Sequence, residues 1–145
     1  MKIYDSNSVV LSFASRKLDS GLADGEFVRI EFDSDAFSDL VGTDGEVTRS
    51  KSNNGMATVT VRLMQTSDGN QVLAALHELD RLAANGAGVA SFLLRDLNGT
   101  TVYSTVEAWI AKEPDVSFDR EATPREWKLR ANFGRPKGIS FAGSN

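Results

Sequence analysis

Cysteine is absent from this 145-residue chain, which removes disulfides, thiolate metal sites and cysteine nucleophiles together. That absence suits a reducing cytoplasm. Histidine occurs once, at His77, with no HExxH or His-x-His spacing around it. A catalytic relay or a zinc site would have to be built on that single ring. It falls mid-helix in the pattern below, beside a core-facing leucine, which fits a partly exposed structural side chain better than chemistry. Long apolar runs are missing too. The most apolar short stretch, Val89–Leu94, is interrupted by Ser91 and ends at Arg95-Asp96, far too short to cross a bilayer. Met1-Lys2-Ile3-Tyr4-Asp5 turns polar at once, so no secretory signal is expected. Positive charge is not in excess either: 16 Lys+Arg stand against 20 Asp+Glu, a net charge of −4. Such a surface is a poor grip for nucleic acid, whose binding rests on neutralising phosphates. Neither GxGxxG nor GxxxxGK[ST] is present.

Carboxylates are plentiful but carry little information. Asp33/Asp35 and Asp115/Asp119 could flank a substrate as glycosidase acids do, yet loop acids look the same in sequence. Asp44-x-Glu46 lacks the regular ligand spacing of an EF-hand. No catalytic residue, cofactor or metal is therefore assigned.

What is present is a strand-rich pattern. Hydrophobic residues make up 41% of the chain, enough for one globular domain spanning residues 1–145. Val9, Leu11 and Phe13 alternate with smaller or polar residues. Val28, Ile30 and Phe32 alternate with Arg29 and Glu31 in the run Phe27–Phe32. Within Ala57–Leu63, Ala57, Val59, Val61 and Leu63 alternate with Thr58, Thr60 and Arg62. Trp127, Leu129, Ala131 and Phe133 do so against Glu126, Lys128, Arg130 and Asn132. Period two of this kind predicts half-buried antiparallel strands. Asp24-Gly25, Asn54-Gly55 and Asn98-Gly99 predict hairpin turns, because these pairs supply positive φ cheaply.

One helix is predicted over Asp68–Ala84. Val72, Leu76, Leu79 and Ala83 recur at helical spacing, with Leu73 and Leu82 widening the stripe. Ser67 is the expected N-cap and Asn85-Gly86 the expected stop. A single amphipathic helix covers one opening or one edge of a sheet protein. Strand Val102–Ile110 reads as two-sided: Val102, Val106, Ala108 and Ile110 on one face, Tyr103, Glu107 and Trp109 on the other. Neither face is cleanly polar, so another element or another subunit is expected to cover it.

The longest departure from this pattern is the polar excursion Asp33–Gly55, read as an extended loop. Acids come first (Asp33, Asp35, Asp39, Asp44, Glu46), then Arg49 and Lys51. Phe37, Leu40 and Val41 give it a small apolar anchor. A compact domain rarely keeps so long a connection without a use for it, and this one suits docking on another surface.

Several stretches, in order along nearly the whole chain, resemble the tail tube protein of contractile-tailed bacteriophages. They are Ala23-Asp-Gly-Glu-Phe27, Asp33–Phe37, Val41-Gly-Thr-Asp-Gly-Glu-Val-Thr-Arg49, Leu63-Met-Gln-Thr-Ser67, Leu94-Arg-Asp-Leu-Asn-Gly-Thr-Thr101, Glu107-Ala-Trp-Ile110 and Glu121-Ala-Thr-Pro-Arg-Glu-Trp127. The resemblance implies a mainly β fold, an antiparallel sandwich or barrel with one flanking helix. It implies a structural virion protein rather than an enzyme, without cofactor, forming hexameric rings stacked into the inner tube of a contractile tail. Its implied partners are further copies of itself, the tail sheath, baseplate and tail-terminator proteins. The tape measure protein and DNA would lie in the lumen without sequence-specific binding, and no membrane is involved. The implied location is the virion tail, assembled in the host bacterial cytoplasm.

On that reading Phe37, Leu40, Val41, Asp44, Glu46, Arg49 and Lys51 are candidates for contact between rings. Tyr103, Glu107 and Trp109 are candidates for lateral contact. Arg29, Glu31, Arg62, Glu126, Lys128 and Arg130 are candidates for the lumen. Pyocin and type VI secretion tubes share the architecture and remain an alternative. Two rivals come from other classes. A ligand-binding β-sandwich would use Tyr103 and Trp109 as an aromatic platform. A small hydrolase would need a nucleophile beside His77.

Overall fold

The computed structural model describes residues 5, 8–18, 21–23, 25–52, 54–83, 89–97, 101–118, 120–121, 123–134 and 139–141. Its strands are β1 (Val9–Phe13), β2 (Arg16–Lys17), β3 (Val28–Phe32), β4 (Phe37–Val41), β5 (Val47–Lys51) and β6 (Met56–Leu63). After helix α1 (Gly69–Leu82) come β7 (Ala90–Asp96), β8 (Thr101–Lys112), β9 (Arg125–Asn132) and β10 (Ile139–Phe141). Eight strands are joined in one sheet, ordered β2-β1-β7-β8-β9-β6-β3, with β10 beside the start of β8. Strands β4 and β5 form a separate two-stranded sheet. Every pairing is antiparallel, as the local alternation predicts.

The sheet curls until its two sides share one core. Leu11 and Phe13 of β1 lie in the same buried cluster as Val59, Val61 and Leu63 of β6, although three strands separate them in the order. Residues 16–18 and 21–23 close part of the seam: the Leu18 amide donates to Leu11 O at 2.8 Å, and Leu22 bridges Leu63. Alternation does the sorting. Ala57, Val59, Val61 and Leu63 are 0% exposed while their neighbours face outward. Fully burying a valine or leucine side chain contributes about 1.5–3 kcal/mol, so β6 anchors the fold.

Turn chemistry departs from expectation. The tight hairpin turn is Ala14-Ser15, both at positive φ (55° and 63°), between the paired residues Phe13 and Arg16. That is a type I′ geometry made without glycine. Gly25 does not turn a hairpin. It lies between residues 22 and 28, which pair with the same strand β6. Asn54-Gly55 is not a two-residue turn either: Asn54 Oδ1 accepts the Met56 amide at 3.0 Å in the stem leading into β6. Asp24 and Asn98-Gly99 lie outside the described residues.

Helix α1 covers the end of the barrel where β6 finishes. Ser67 Oγ accepts the Gly69 amide at 3.1 Å, a cap-like contact in the turn, while Asp68 at the N-cap position makes no side-chain cap bond. Gly21 packs directly on that turn; a Cβ there would come within 2.5 Å of Ser67 Cβ, so only glycine fits. Trp127 Nε1–H donates to Asn70 Oδ1 at 3.0 Å, and Asn70 Nδ2 donates to Met64 O at 2.9 Å, tying helix to sheet. The buried stripe is rotated from the expected one. Gly69 and Leu73 are buried and Leu76 packs against the core, but Val72 is only half-buried and Leu79 is 54% exposed. The proposed stop Asn85-Gly86 lies outside the described residues.

Strand β8 holds the largest correction. Its pairing with β7 slips between Ala90 and Phe92, placing a bulge near Val106 and Glu107. Thr105 Oγ1 accepts the Glu107 amide at 3.1 Å there. An extra residue reverses which parity faces inward. Ala108 and Ile110 therefore face the core with Tyr103, and Val106 is 77% exposed. Tyr103 packs edge-on against Phe133, with ring centroids 5.8 Å apart, and near Phe32 at 6.5 Å.

Candidate functional site

The excursion read as a loop is a β-ribbon. Phe37–Val41 and Val47–Lys51 pair in complete register from Phe37↔Lys51 to Val41↔Val47. Its tip closes through Gly42 and Gly45: the Gly45 amide donates to Gly42 O at 3.0 Å, and Gly45 adopts φ 85°. This is a type I turn completed by a left-handed residue. Asp44 Oδ1 accepts the Glu46 amide at 3.1 Å. All ten strand residues are exposed. Alternation puts Phe37, Asp39 and Val41 on one face with Val47, Arg49 and Lys51, and Leu40 on the opposite face with Thr48. The Arg49 guanidinium lies 4.4 Å over the Phe37 ring. The apolar triplet Phe37, Leu40 and Val41 is thus divided between two faces rather than gathered in one.

The ribbon is rooted where β3 ends and β6 begins. The Asp33 amide donates to Met56 O at 3.0 Å, continuing the sheet pairing by one step. Register then shifts by one residue before β4 and β5 take over. Ser34 and Ser52 hydroxyls meet at 3.3 Å across the break. At its base, Arg130 Nη1 donates to Asp33 Oδ1 at 2.8 Å and Nη2 to Oδ2, a two-pronged pair that also reaches Thr58 Oγ1 at 2.9 Å. The hydrogen bonds from Arg130 hold the Asp33 carboxyl below its ordinary pKa, against a smaller opposing effect of desolvation. The same pairing holds the Arg130 guanidinium more firmly protonated. This clamp joins residues nearly a hundred positions apart, and nothing in the local sequence announces it.

Arg29, Glu31, Arg62, Glu126, Lys128 and Arg130 come together on the outward side of β3, β6 and β9. Each cation there sits close to a carboxylate. Arg29 lies 2.8 Å from Glu31 and Lys128 3.3 Å from Glu126. Arg62 Nε lies 3.9 Å from Glu126, a charge contact rather than a hydrogen bond. Arg130 is paired with Asp33. Glu107 and Trp109 adjoin this face: Trp109 stands opposite Arg130, and Asn132 Nδ2 donates to Glu107 Oε2 at 2.8 Å. Tyr103 does not join them, since its ring packs inward. That separation removes both the three-residue lateral surface and the Tyr103–Trp109 platform. Strand β8 is also flanked on both sides, by β7 and by β9 and β10, so it offers no edge for pairing; β2 and β3 end the sheet.

At the other end of β6 and β9, residues 113–118 pass close to α1. His77 lines the cleft there with Ala111, Lys112, Glu113, Pro114, Asp115 and Val116, a lining that holds no Ser, Thr or Cys for the ring to activate. His77 Nδ1 is buried without a hydrogen-bond partner. Asp33, read above as a possible acid, is committed to Arg130; Asp119 lies outside the described residues. Among the described residues no group of acids and histidine is placed to hold a metal. Sequence reading missed the exposed Val116 and Phe118, 72% and 78% accessible.

Comparison with known proteins now bears on these surfaces. A family model described as bacteriophage PhiTE tail tube protein matches residues 6–134. Structural protein ORF10 of Pseudomonas phage KPP10 is 37% identical over 110 residues, covering 76% of this chain. The chain spans 64% of that relative's length. Among solved structures, the anti-feeding prophage cap, a tube-terminating cap, superposes with a TM-score of 0.56 at 8% identity. That match covers 91% of this chain and 89% of the cap and bears on the fold alone.

Proposed function

The chain belongs to the bacteriophage PhiTE tail tube protein family, and from that premise we propose that it is the inner-tube subunit of a contractile tail. In this reading it closes into hexameric rings that stack head to tail and conduct DNA at ejection. It acts as a structural part and catalyses no reaction. Its partners are the sheath, baseplate and tail-terminator proteins outside, and the tape measure protein and DNA within. Assembly takes place in the host cytoplasm, and the whole of residues 1–145 serves as one tube domain.

The observation that carries this reading is the exposed ribbon β4–β5. A two-stranded ribbon is marginal in water when nothing packs on it. Ten exposed residues in full register, with a cation stacked on Phe37, suit a strand pair that finishes folding against the next ring. The polar face supports the conduit. Its four cations are each within 4 Å of a carboxylate, so a bore lined by Arg29, Glu31, Arg62, Glu126, Lys128 and Arg130 offers phosphates little unpaired positive charge. DNA would slide past such a wall instead of being held by it. Lateral contact falls to the sheet edges β2 and β3, while Glu107 and Trp109 stand on the outward face of the central strand β8.

Negative-stain electron microscopy of the concentrated, purified chain tests the proposal. Rings or tubes of uniform width are the expected result. A monodisperse monomer at all concentrations, salts and precipitants tried would overturn it.

A further inference from the structure

Between the last strand of the ribbon and the first residue of β6 lies the pair Asn54-Gly55. A glycine after asparagine is the least hindered setting for a backbone nitrogen to attack the preceding side-chain amide, because no Cβ stands in the way. Asn54 is exposed, so water and hydroxide reach it. Its Oδ1 accepts the Met56 amide at 3.0 Å, an Asx-turn that folds the side chain over the Gly55 peptide. The peptide group joining the two residues is uncommitted. Among the described residues, neither the Asn54 carbonyl nor the Gly55 amide has a hydrogen-bond partner. Gly55 is otherwise buried, and an amide left without an acceptor there is unusual.

The chain is fixed on either side of this peptide. On the barrel side the Phe133 amide donates to Gly55 O and the Asp33 amide to Met56 O, each at 3.0 Å. On the ribbon side the Asn54 amide donates to Ser52 Oγ at 3.2 Å. The free peptide plane is thus the joint between the two.

We propose that Asn54 is a site of spontaneous covalent modification, converting through a cyclic imide to aspartate and isoaspartate. The Gly55 nitrogen gives its proton to hydroxide and attacks Asn54 Cγ. Negative charge gathers on Oδ1, where the Met56 amide already donates. The Cγ–Nδ2 bond breaks, and Nδ2 takes a proton from water and leaves as ammonia, which regenerates the hydroxide. Water then opens the imide at either carbonyl. Opening at Cγ leaves aspartate. Opening at the backbone carbonyl of residue 54 leaves isoaspartate, whose main chain runs through Cβ and Cγ. Both products add a negative charge at the root of the ribbon, and isoaspartate also inserts a backbone atom there. The modification follows from this turn alone and does not depend on the tube reading.

The test incubates the whole purified chain at mildly alkaline pH, folded or unfolded in urea, and digests it with trypsin. Cleavage after Lys51 and Arg62 releases Ser52–Arg62, and fragment ions separate Asn54 from Asn53. Position 54 should gain about 1 Da in the folded chain at least as fast as in the unfolded one. Isoaspartate methyltransferase should label that peptide. Asn54→Gln should abolish the change at this position. Met56→Pro removes the donor to Oδ1 at the first residue of a strand, where proline is tolerated. It should slow the folded chain roughly tenfold and leave the unfolded rate within about twofold. Circular dichroism confirms that the variant is folded; if it is not, the folded-against-unfolded comparison of the wild type decides alone. Asn54 surviving in the folded chain while the unfolded chain converts would overturn the proposal. So would a folded Met56→Pro chain that converts at the wild-type rate.

Discussion

Strand β6 and the ribbon β4–β5 are adjacent in the chain and equally regular in pairing, yet they are opposite in burial. In β6 every second side chain is 0% exposed; in the ribbon none is buried. The difference teaches that pairing register and core burial are separable. Backbone pairing shapes both, but only β6 gains the apolar burial that offsets the entropy of ordering a strand. The ribbon has geometry without that gain inside its own subunit. A second surface must supply it, and this asymmetry between a self-sufficient barrel and a dependent ribbon underlies the assembly reading.

The comparison breaks most visibly in the core. Leu73→Ala removes a 0%-exposed side chain where α1 meets the barrel and should cost about 2–5 kcal/mol. Leu79→Ala, on the same helix but facing outward, should stay within about 0.5 kcal/mol. Thermal melts of the two variants read the difference, at roughly 2–4 °C per kcal/mol for a chain near this size. Equal losses would mean the helix is seated on the face centred at Leu79.

On the ribbon the effect should reverse. Phe37→Ser should leave the subunit melt within about 0.5 kcal/mol of the wild type, because the ring is already 46% exposed. It should nonetheless deplete sedimenting tubes, since it removes the aromatic anchor and the Arg49 contact together. Normal tubes from this variant would detach the ribbon from stacking. A large loss of subunit stability would place Phe37 in a core instead.

Strands β6 and β9 were readable because their alternation is unbroken from Ala57 to Leu63 and from Trp127 to Phe133. The ribbon was not. Phe37-Ser-Asp-Leu-Val41 has no alternating period, and Val47-Thr-Arg-Ser-Lys51 is almost wholly polar, so nothing marks them as strands except each other. The helix was placed correctly, but its buried stripe was taken a few residues too far along. Apolar spacing cannot tell that the barrel end meets only the early turns around Gly69, Leu73 and Leu76, leaving Leu79 and Leu82 beyond it. In β8 the bulge reversed inward parity partway along a strand whose period looked continuous, and so Tyr103 was assigned to the wrong face. Of the candidate assembly residues, the polar set was readable as one sheet face. The clamp between Asp33 and Arg130 was not, because it depends on β3 and β9 lying on either side of β6.

That clamp gives the smallest expected effect and the finest resolution of the boundary between the two regions. Asp33 is the first residue past β3, and its partner is rooted in the barrel. Hydrogen bonds from Arg130 lower the Asp33 pKa in the folded chain relative to the unfolded one. A depressed carboxylate pKa means the folded state favours the ionised form. The clamp's contribution is therefore present above the ordinary aspartate range and is lost as pH falls through the lowered folded value. Asp33→Asn should remove that acid-side dependence. Because the pair lies at the surface, the change in subunit stability should be slight. The signature should be local instead: carbon-detected NMR should follow the Asp33 carboxyl titrating below the ordinary aspartate range. Amide signals of residues 34–36 and 52 should shift with it, while those of β6 beyond Val59 stay still. If the ribbon stem and the barrel move together through that titration, the two regions are one mechanical unit and the clamp is not the joint between them. If Asp33→Asn leaves the stem signals unchanged, the clamp does not orient the ribbon at all.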